Sequence, residues 1–203
     1  MDKNNNGFDY VDLGLPSGTL WATCNVGADK PTDYGLYFQW DDTQGCSIDK
    51  IGIGRGHKEF SWTDYKFSKD RNGSKFSKYK TNRATLELED DAAHVNMGGD
   101  WHMPSPTQLK ELTANTTSTW TTQDGVNGRL FTSKKNGKSI FIPAAGYVSN
   151  GSLQYGGSEA VVWSSMLVAY VFYNGQYLGF YSYNVSLDDY YRYYGFSVRG
   201  VIG

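Results

Sequence analysis

The sequence predicts an α+β fold with little helix, on three observations. The 203 residues include 24 Gly, 16 Tyr, 10 Phe and 6 Trp, a composition of short strands joined by tight turns and covered by amphipathic rings. Helix signals occur in only two places. Two-residue alternation of apolar and polar side chains, the mark of a half-buried strand, runs through the carboxyl-terminal fifth. With 39% hydrophobic residues the chain buries a real core. No repeat and no Pro- or Ser-rich linker divides it, so residues 1–203 read as a single domain.

In chain order, residues 10–21 predict two short strands around Leu15-Pro16-Ser17-Gly18, where proline presets a turn and glycine closes it. Residues 41–83 are polar, lysine-rich and irregular, and predict loops carrying one or two short strands. A first helix is expected over 86–96, with Leu88, Ala92 and Val95 on its apolar face, Glu89, Asp90 and Asp91 early, and Gly98-Gly99 as the stop. A second begins at Ser105-Pro106-Thr107-Gln108, which supplies an N-cap, a first-turn proline and a capping-box glutamine ahead of Leu109 and Leu112. Beyond Trp120 the chain predicts strands and turns, including 129–132, Asn136-Gly137 and 139–142.

Charge and motifs exclude several functions. The net charge of -2 offers no basic field for nucleic acid. No stretch approaches the ~20 apolar residues of a membrane helix. Met1-Asp2-Lys3-Asn4-Asn5-Asn6 lacks the apolar core of a signal peptide, which tilts the expectation towards a phage tail or prophage protein. Cys24 and Cys46 cannot form a disulfide scaffold or an all-cysteine metal site; they are expected as buried free thiols, a single bridge remaining open. The run 52–58, Gly-Ile-Gly-Arg-Gly-His-Lys, lacks the spacing and the Lys-Ser/Thr ending of a phosphate loop. His57, His94 and His102 have no ligand spacing. Glu87, Glu89, Asp90 and Asp91 do not follow a calcium-loop pattern and are expected as a solvated first helical turn. No Gly-x-Ser-x-Gly elbow is present. No metal and no organic cofactor is therefore expected.

The segment 161–203 differs from the rest. All 13 lysines lie between Lys3 and Lys138, whereas nine of the 16 tyrosines fall between Tyr170 and Tyr194. Leu178 and Phe180 alternate with Tyr177, Gly179 and Tyr181, and Val185 and Leu187 with Asn184, Ser186 and Asp188. This predicts a hairpin with an aliphatic core face and an outward face of Tyr, Gly, Asn, Ser and Asp. A loop, Asp188-Asp189-Tyr190-Tyr191-Arg192-Tyr193-Tyr194-Gly195, follows, and Phe196-Ser197-Val198-Arg199 again alternates as a strand. The outward composition is that of a binding paratope, in which tyrosine gives large contact area at low entropic cost. The expected ligand-binding residues are Tyr170, Tyr173, Tyr177, Gly179, Tyr181, Asn184, Ser186, Asp188, Asp189, Tyr190, Tyr191 and Tyr193.

A resemblance adds to this reading. Residues 10–22 (Tyr-Val-Asp-Leu-Gly-Leu-Pro-Ser-Gly-Thr-Leu-Trp-Ala), 98–104 (Gly-Gly-Asp-Trp-His-Met-Pro), 142–146 (Ile-Pro-Ala-Ala-Gly), Trp163-Ser164-Ser165 and 195–199 (Gly-Phe-Ser-Val-Arg) resemble the Fibrobacter succinogenes major paralogous domain. That family is similar to the formylglycine-generating-enzyme branch of the C-type lectin fold, and some members look like the variable proteins of diversity-generating retroelements. The resemblance implies a C-type lectin-like fold and adenine mutagenesis of Asn codons at the outward positions; Leu178, Phe180, Val185, Leu187 and Arg192 stand where the pattern keeps its scaffold. Tyr183 stands where it keeps a glycine. The related oxidases bind copper through two cysteines near the carboxyl terminus, but both cysteines here precede residue 47. Calcium-dependent lectins use Glu-Pro-Asn or Gln-Pro-Asp, and none of the five prolines sits in such a motif.

The expected function is non-enzymatic: a module that displays a diversified Tyr-rich surface, spanning 161–203, to a protein or glycan receptor outside the cell, on a phage particle or as a bacterial adhesin. Two alternatives belong to other classes. One is an enzyme acting on a glycan or peptide with Asp188 and Asp189 as its acid pair, and the other is a structural subunit of a surface appendage.

Overall fold

The computed structural model describes residues 2–203. The expected α+β, C-type lectin-like architecture is not what forms. Strand accounts for 39% of the residues and helix for 11%, in four small antiparallel sheets with one helix longer than two turns. The first sheet has the order β1 (Asp2–Asn5), β2 (Phe8–Asp12), β3 (Leu20–Asn25) and β12 (Arg199–Ile202), so that the two ends of the chain meet in it. Within the amino-terminal run 1–6, Asp2–Asn5 form β1 and Met1 lies outside the described residues. Asn6 and Gly7, at φ 56° and 90°, close β1 onto β2 as a two-residue hairpin. The expected turn at 15–18 joins β2 to β3, with the Gly18 N–H donating to the Leu15 carbonyl at 2.9 Å.

The first expected helix is broken. A 3-10 turn at Leu88–Asp90 is followed by α1 (Ala92–Met97), because Asp91 takes an extended conformation and N-caps α1, its carboxylate accepting from the His94 N–H. Leu88 and Val95, expected on the apolar face, are exposed. The second helix, α2 (Pro106–Asn115), forms with both capping-box hydrogen bonds between Ser105 and Gln108, and Leu109 and Leu112 are fully buried.

After α2 the chain runs as a meander of β4 (Thr116–Gln123), β5 (Val126–Ser133) and β6 (Ser139–Pro143), then a small hairpin of β7 (Tyr147–Ser149) and β8 (Ser152–Gln154). The last sheet has the order β11 (Val185–Tyr191), β10 (Asn174–Phe180), β9 (Ala160–Leu167). Strand β9 is apolar on both faces and divides the core. Val161 and Trp163 pack with Phe38, Trp40, Trp101 and Phe196, whereas Ala160 and Val162 pack with Trp21, Phe131, Leu178 and Phe180. Residues 41–83 form no long strand; a 3-10 turn at Ile48–Lys50 and isolated bridges hold them. The strand expected over 196–199 is a set of bridges, Phe196 to Phe38 and Ser197 to Val162, because this stretch runs between two sheets before joining the first at Arg199.

Cys24 and Cys46 are free, the second buried. Arg199 is fully buried and donates to three neutral acceptors, Asn25 Oδ1 and the carbonyls of Ala22 and Phe141, each at 3.0 Å.

Candidate functional site

The predicted hairpin forms with Tyr177 opposite Asp188, Leu178 opposite Leu187 and Phe180 opposite Val185. Leu178 and Phe180 are fully buried, whereas Val185 and Leu187 are half-buried because β11 is an edge strand. The other face is not simply outward. Strand β10 lies in the middle of its sheet, so Tyr177 lies in a cleft and packs edge-on against Phe196, ring centroids 5.1 Å apart, while Gly179 is buried.

The cleft encloses about 310 Å³. Tyr177 lies on its floor with Val161 and Phe196. Tyr181 and Tyr183, from the β10–β11 turn, stack 5.8 Å apart with nearly parallel rings on one side. That turn is closed by the Tyr181 N–H on the Asn184 carbonyl, and Tyr183 fits it because its φ is not positive. Tyr190 and Tyr194, 4.5 Å apart and edge-on, form another side. Tyr147, from β7, and Tyr155, after β8, complete the wall. Tyr155 is exposed with φ at +53°, a strained position for a large side chain, at the rim of the cleft.

Beneath these rings lies Glu159, only 5% exposed. Its backbone is pinned from both sides: its N–H donates to the Tyr155 carbonyl at 3.0 Å, and its carbonyl accepts from the Gly146 N–H at 2.7 Å. Gly146 has φ +66°, and a Cβ there would stand 2.1 Å from the Gln154 carbonyl, so only glycine allows this approach. Burial raises the Glu159 carboxyl above the ordinary glutamate range, and the hydrogen bond from the Tyr181 hydroxyl offsets part of that rise. Burial followed by the bond to Glu159 raises the Tyr181 phenol, and burial pushes Tyr194 up to about 12. These phenols therefore stay protonated donors at neutral pH.

The lining of the cleft carries one charged side chain, Glu159. Residues 139–191 contain no Lys, Arg or His and three acids, Glu159, Asp188 and Asp189. The two arginines that follow, Arg192 and Arg199, are fully buried.

Beside the cleft, Tyr173, Asp189, Tyr190 and Tyr191 line a shallower hollow, in which Asn174 Nδ2 donates to Asp189 Oδ1 at 2.6 Å. Of the residues expected to bind ligand, Tyr177, Tyr181 and Tyr190 meet in the cleft, and Tyr173, Asp189, Tyr190 and Tyr191 in this hollow. Asn184 and Asp188 are exposed on the same hairpin, Ser186 is half-buried opposite Gly179, and Tyr170 stands apart in the β9–β10 connection, 86% exposed. Two expectations of exposure are corrected. Gly179 is closed in by the Tyr177 ring, and Tyr193 is buried against Trp62, Tyr65 and Phe76 because residues 62–76 fold over it. Tyr147, Tyr155, Glu159 and Tyr194 were not anticipated as site residues. The signal for Glu159 was present, since it is the one acid between Asp124 and Asp188 and directly precedes an apolar strand.

The rings that bury Tyr193 belong to a second aromatic arrangement. The Arg192 guanidinium is 3.8 Å from the Phe76 ring centroid and 5.4 Å from that of Tyr65, and its Nη1 donates to the Tyr79 carbonyl. Asp41, also fully buried, accepts from the Tyr65 hydroxyl; burial raises its carboxyl to about 6, against the opposing pull of Arg192.

Two other features carry less chemistry. A hollow of about 500 Å³ between Tyr10, Pro31 and Phe141 has no carboxylate in its lining. The acidic group Glu87, Glu89 and Asp90, expected as a solvated helical turn, instead surrounds the Lys78 ammonium at 2.6, 2.8 and 2.5 Å, with Asp90 buried and bonded also by Lys66. These carboxylates already hold a cation that the chain supplies. Among the described residues no helix is long and apolar enough to cross a membrane. No family model matches the chain, and comparisons with curated proteins and with solved structures give no match.

Proposed function

We propose that the chain is a recognition module whose Tyr-rich face, centred on the cleft over Glu159, binds a receptor outside the cell. The observation that carries this reading is the convergence of seven tyrosines from β7, the loop after β8, β10, the hairpin turn, β11 and the segment after it on one cleft. Rings that served packing alone would be closed over, as Tyr193 is. Here Tyr155, Tyr183 and Tyr190 are 60%, 85% and 42% exposed. Contiguous exposed aromatic surface of this kind marks an interaction site.

The resemblance to variable proteins supports a sharper form of the proposal, in which a retroelement diversifies positions of 161–203 on a phage particle or bacterial surface. Tyr181, Asn184, Asp188, Tyr190 and Tyr191 are reachable from Asn codons by adenine mutation and lie exposed or half-exposed on the hairpin. An acid pair of Asp188 and Asp189 is disfavoured, since neighbours on β11 point to opposite faces and Asp189 is engaged by Asn174. The sharper form is tested by sequencing the flanking DNA. It requires a reverse transcriptase gene and an adenine-rich near-copy of the codons for this segment; a locus with neither leaves an undiversified binding module.

A further inference from the structure

We propose that the tyrosine cleft takes the cationic head of a basic side chain, an arginine guanidinium or lysine ammonium presented by a polypeptide partner, with Glu159 as its counter-ion. The inference rests on the recognition reading and names the chemistry of its ligand.

Three observations converge on it. The cleft is walled by ring faces and edges around one nearly buried carboxylate, and tyrosine faces attract a cation through the ring quadrupole while the carboxylate supplies the opposite charge. No basic side chain lines the cleft. Residues 139–191 carry no basic group and Asp188 lies opposite Tyr177 in the sheet; Arg129, which reaches the Ser182 carbonyl of the hairpin turn at 3.0 Å, is buried and engaged there and by Ser118, and Arg192 and Arg199 are fully buried. Finally, the molecule already contains the filled version of this arrangement. Around Arg192, the rings of Phe76, Tyr65 and Trp40 house a guanidinium of the chain itself, with the Asp41 carboxylate close enough to feel its charge though not in an ion pair with it. The cleft repeats these parts with Glu159 as the acid and with an opening to solvent. Its volume of about 310 Å³ lies at the small end of ligand sites, ~300 to 1,000 Å³, which suits one side chain better than an extended oligosaccharide.

The test is an amide and tyrosine-ring NMR titration of the full chain with four probes: Nα-acetyl-arginine amide, Nα-acetyl-lysine amide, the neutral isostere Nα-acetyl-citrulline amide, and methyl β-glucoside. Saturable shifts at Glu159, Tyr177 and Tyr181 are expected with the two cations, on the order of millimolar affinity as befits a single side chain. Citrulline should bind at least about tenfold more weakly, and Glu159→Gln should weaken the arginine probe by a similar factor. Tyr181→Phe keeps the ring and loses the hydroxyl bond to Glu159, and serves if Glu159→Gln proves unstable; it should retain cation binding within about threefold. Equal binding of citrulline and arginine, indifference to Glu159→Gln, shifts confined to the Tyr173 hollow, or no cation-induced shift at all would each overturn the proposal. Saturation of the same amides by the glucoside but not by the cations would overturn it while leaving the recognition reading standing.

Discussion

Residues 190–194 contribute to two aromatic regions that differ in what lies beneath the rings. Tyr190 and Tyr194 line the open cleft over a carboxylate, whereas Tyr193 is buried with Tyr65 and Phe76, the rings that flank Arg192, and packs against Trp62. The residue type is the same, and the positions are adjacent. The difference is made by residues 62–76, which fold across one region and leave the other uncovered, and by the sign of the buried charge. In the covered region the chain supplies both cation and acid, so the rings serve packing; in the cleft it supplies only the acid. Tyrosine enrichment in a segment therefore marks neither binding nor packing until the covering chain is known.

The largest expected effect belongs to the covered region. Arg192→Ala strips the cation from between Phe76 and Tyr65, loses its bond to the Tyr79 carbonyl and leaves a cavity, and should cost about 3 to 5 kcal/mol in denaturant unfolding at pH 7. Tyr193→Ala removes a ring that contacts Trp62 and should cost about 2 to 4 kcal/mol. If either variant unfolds at the wild-type midpoint, the covered region is not structural and the comparison fails. Tyr177→Ser tests the boundary, since this ring is half-buried on Phe196 and Trp163; a loss of about 1 to 2 kcal/mol is expected. The smallest effects belong to the rim. Tyr183→Ser and Tyr190→Ser should each change stability by no more than about 0.5 kcal/mol while weakening receptor binding. A rim variant that melts as early as Tyr193→Ala would make those tyrosines structural.

The parts legible in the sequence were those set by local chemistry. The Ser105 capping box, the 15–18 turn and the alternation around Leu178 and Phe180 each follow from a few consecutive residues and form as read. The helix expected over 86–96 failed because Asp91 is drawn out of helical geometry by a distant partner, the Met103 N–H, at 2.8 Å. The α+β, lectin-like expectation failed for a related reason: only α2 extends beyond two turns, while β4, β5 and β6 build a sheet whose first strand, rich in threonine, carries little apolar alternation. At the site, periodicity separated the faces of the hairpin but not their surroundings. It does not show that β10 is a central strand, which is what buries Gly179. Nor could it show that residues 62–76 bury Tyr193, or that Glu159 is brought under rings more than twenty positions away at Tyr181 and Tyr190.

The central claim is that the cleft is maintained for recognition and not for stability, and Glu159 tests it most directly. Because burial raises its carboxyl in the folded protein, the folded state binds this proton more tightly than the unfolded state does. Stability therefore falls as pH rises from the unfolded glutamate value, about 4.3, through the raised folded value, and the penalty is fully present above it. The measurement is chemical unfolding of wild type and Glu159→Gln at pH 4 and pH 7. The account predicts that the variant gains stability relative to wild type on going from pH 4 to pH 7, and that at pH 7 it is at least as stable. A variant less stable than wild type at pH 7 by more than about 1 kcal/mol, with no relative gain between the two pH values, would make Glu159 a structural residue and contradict the claim.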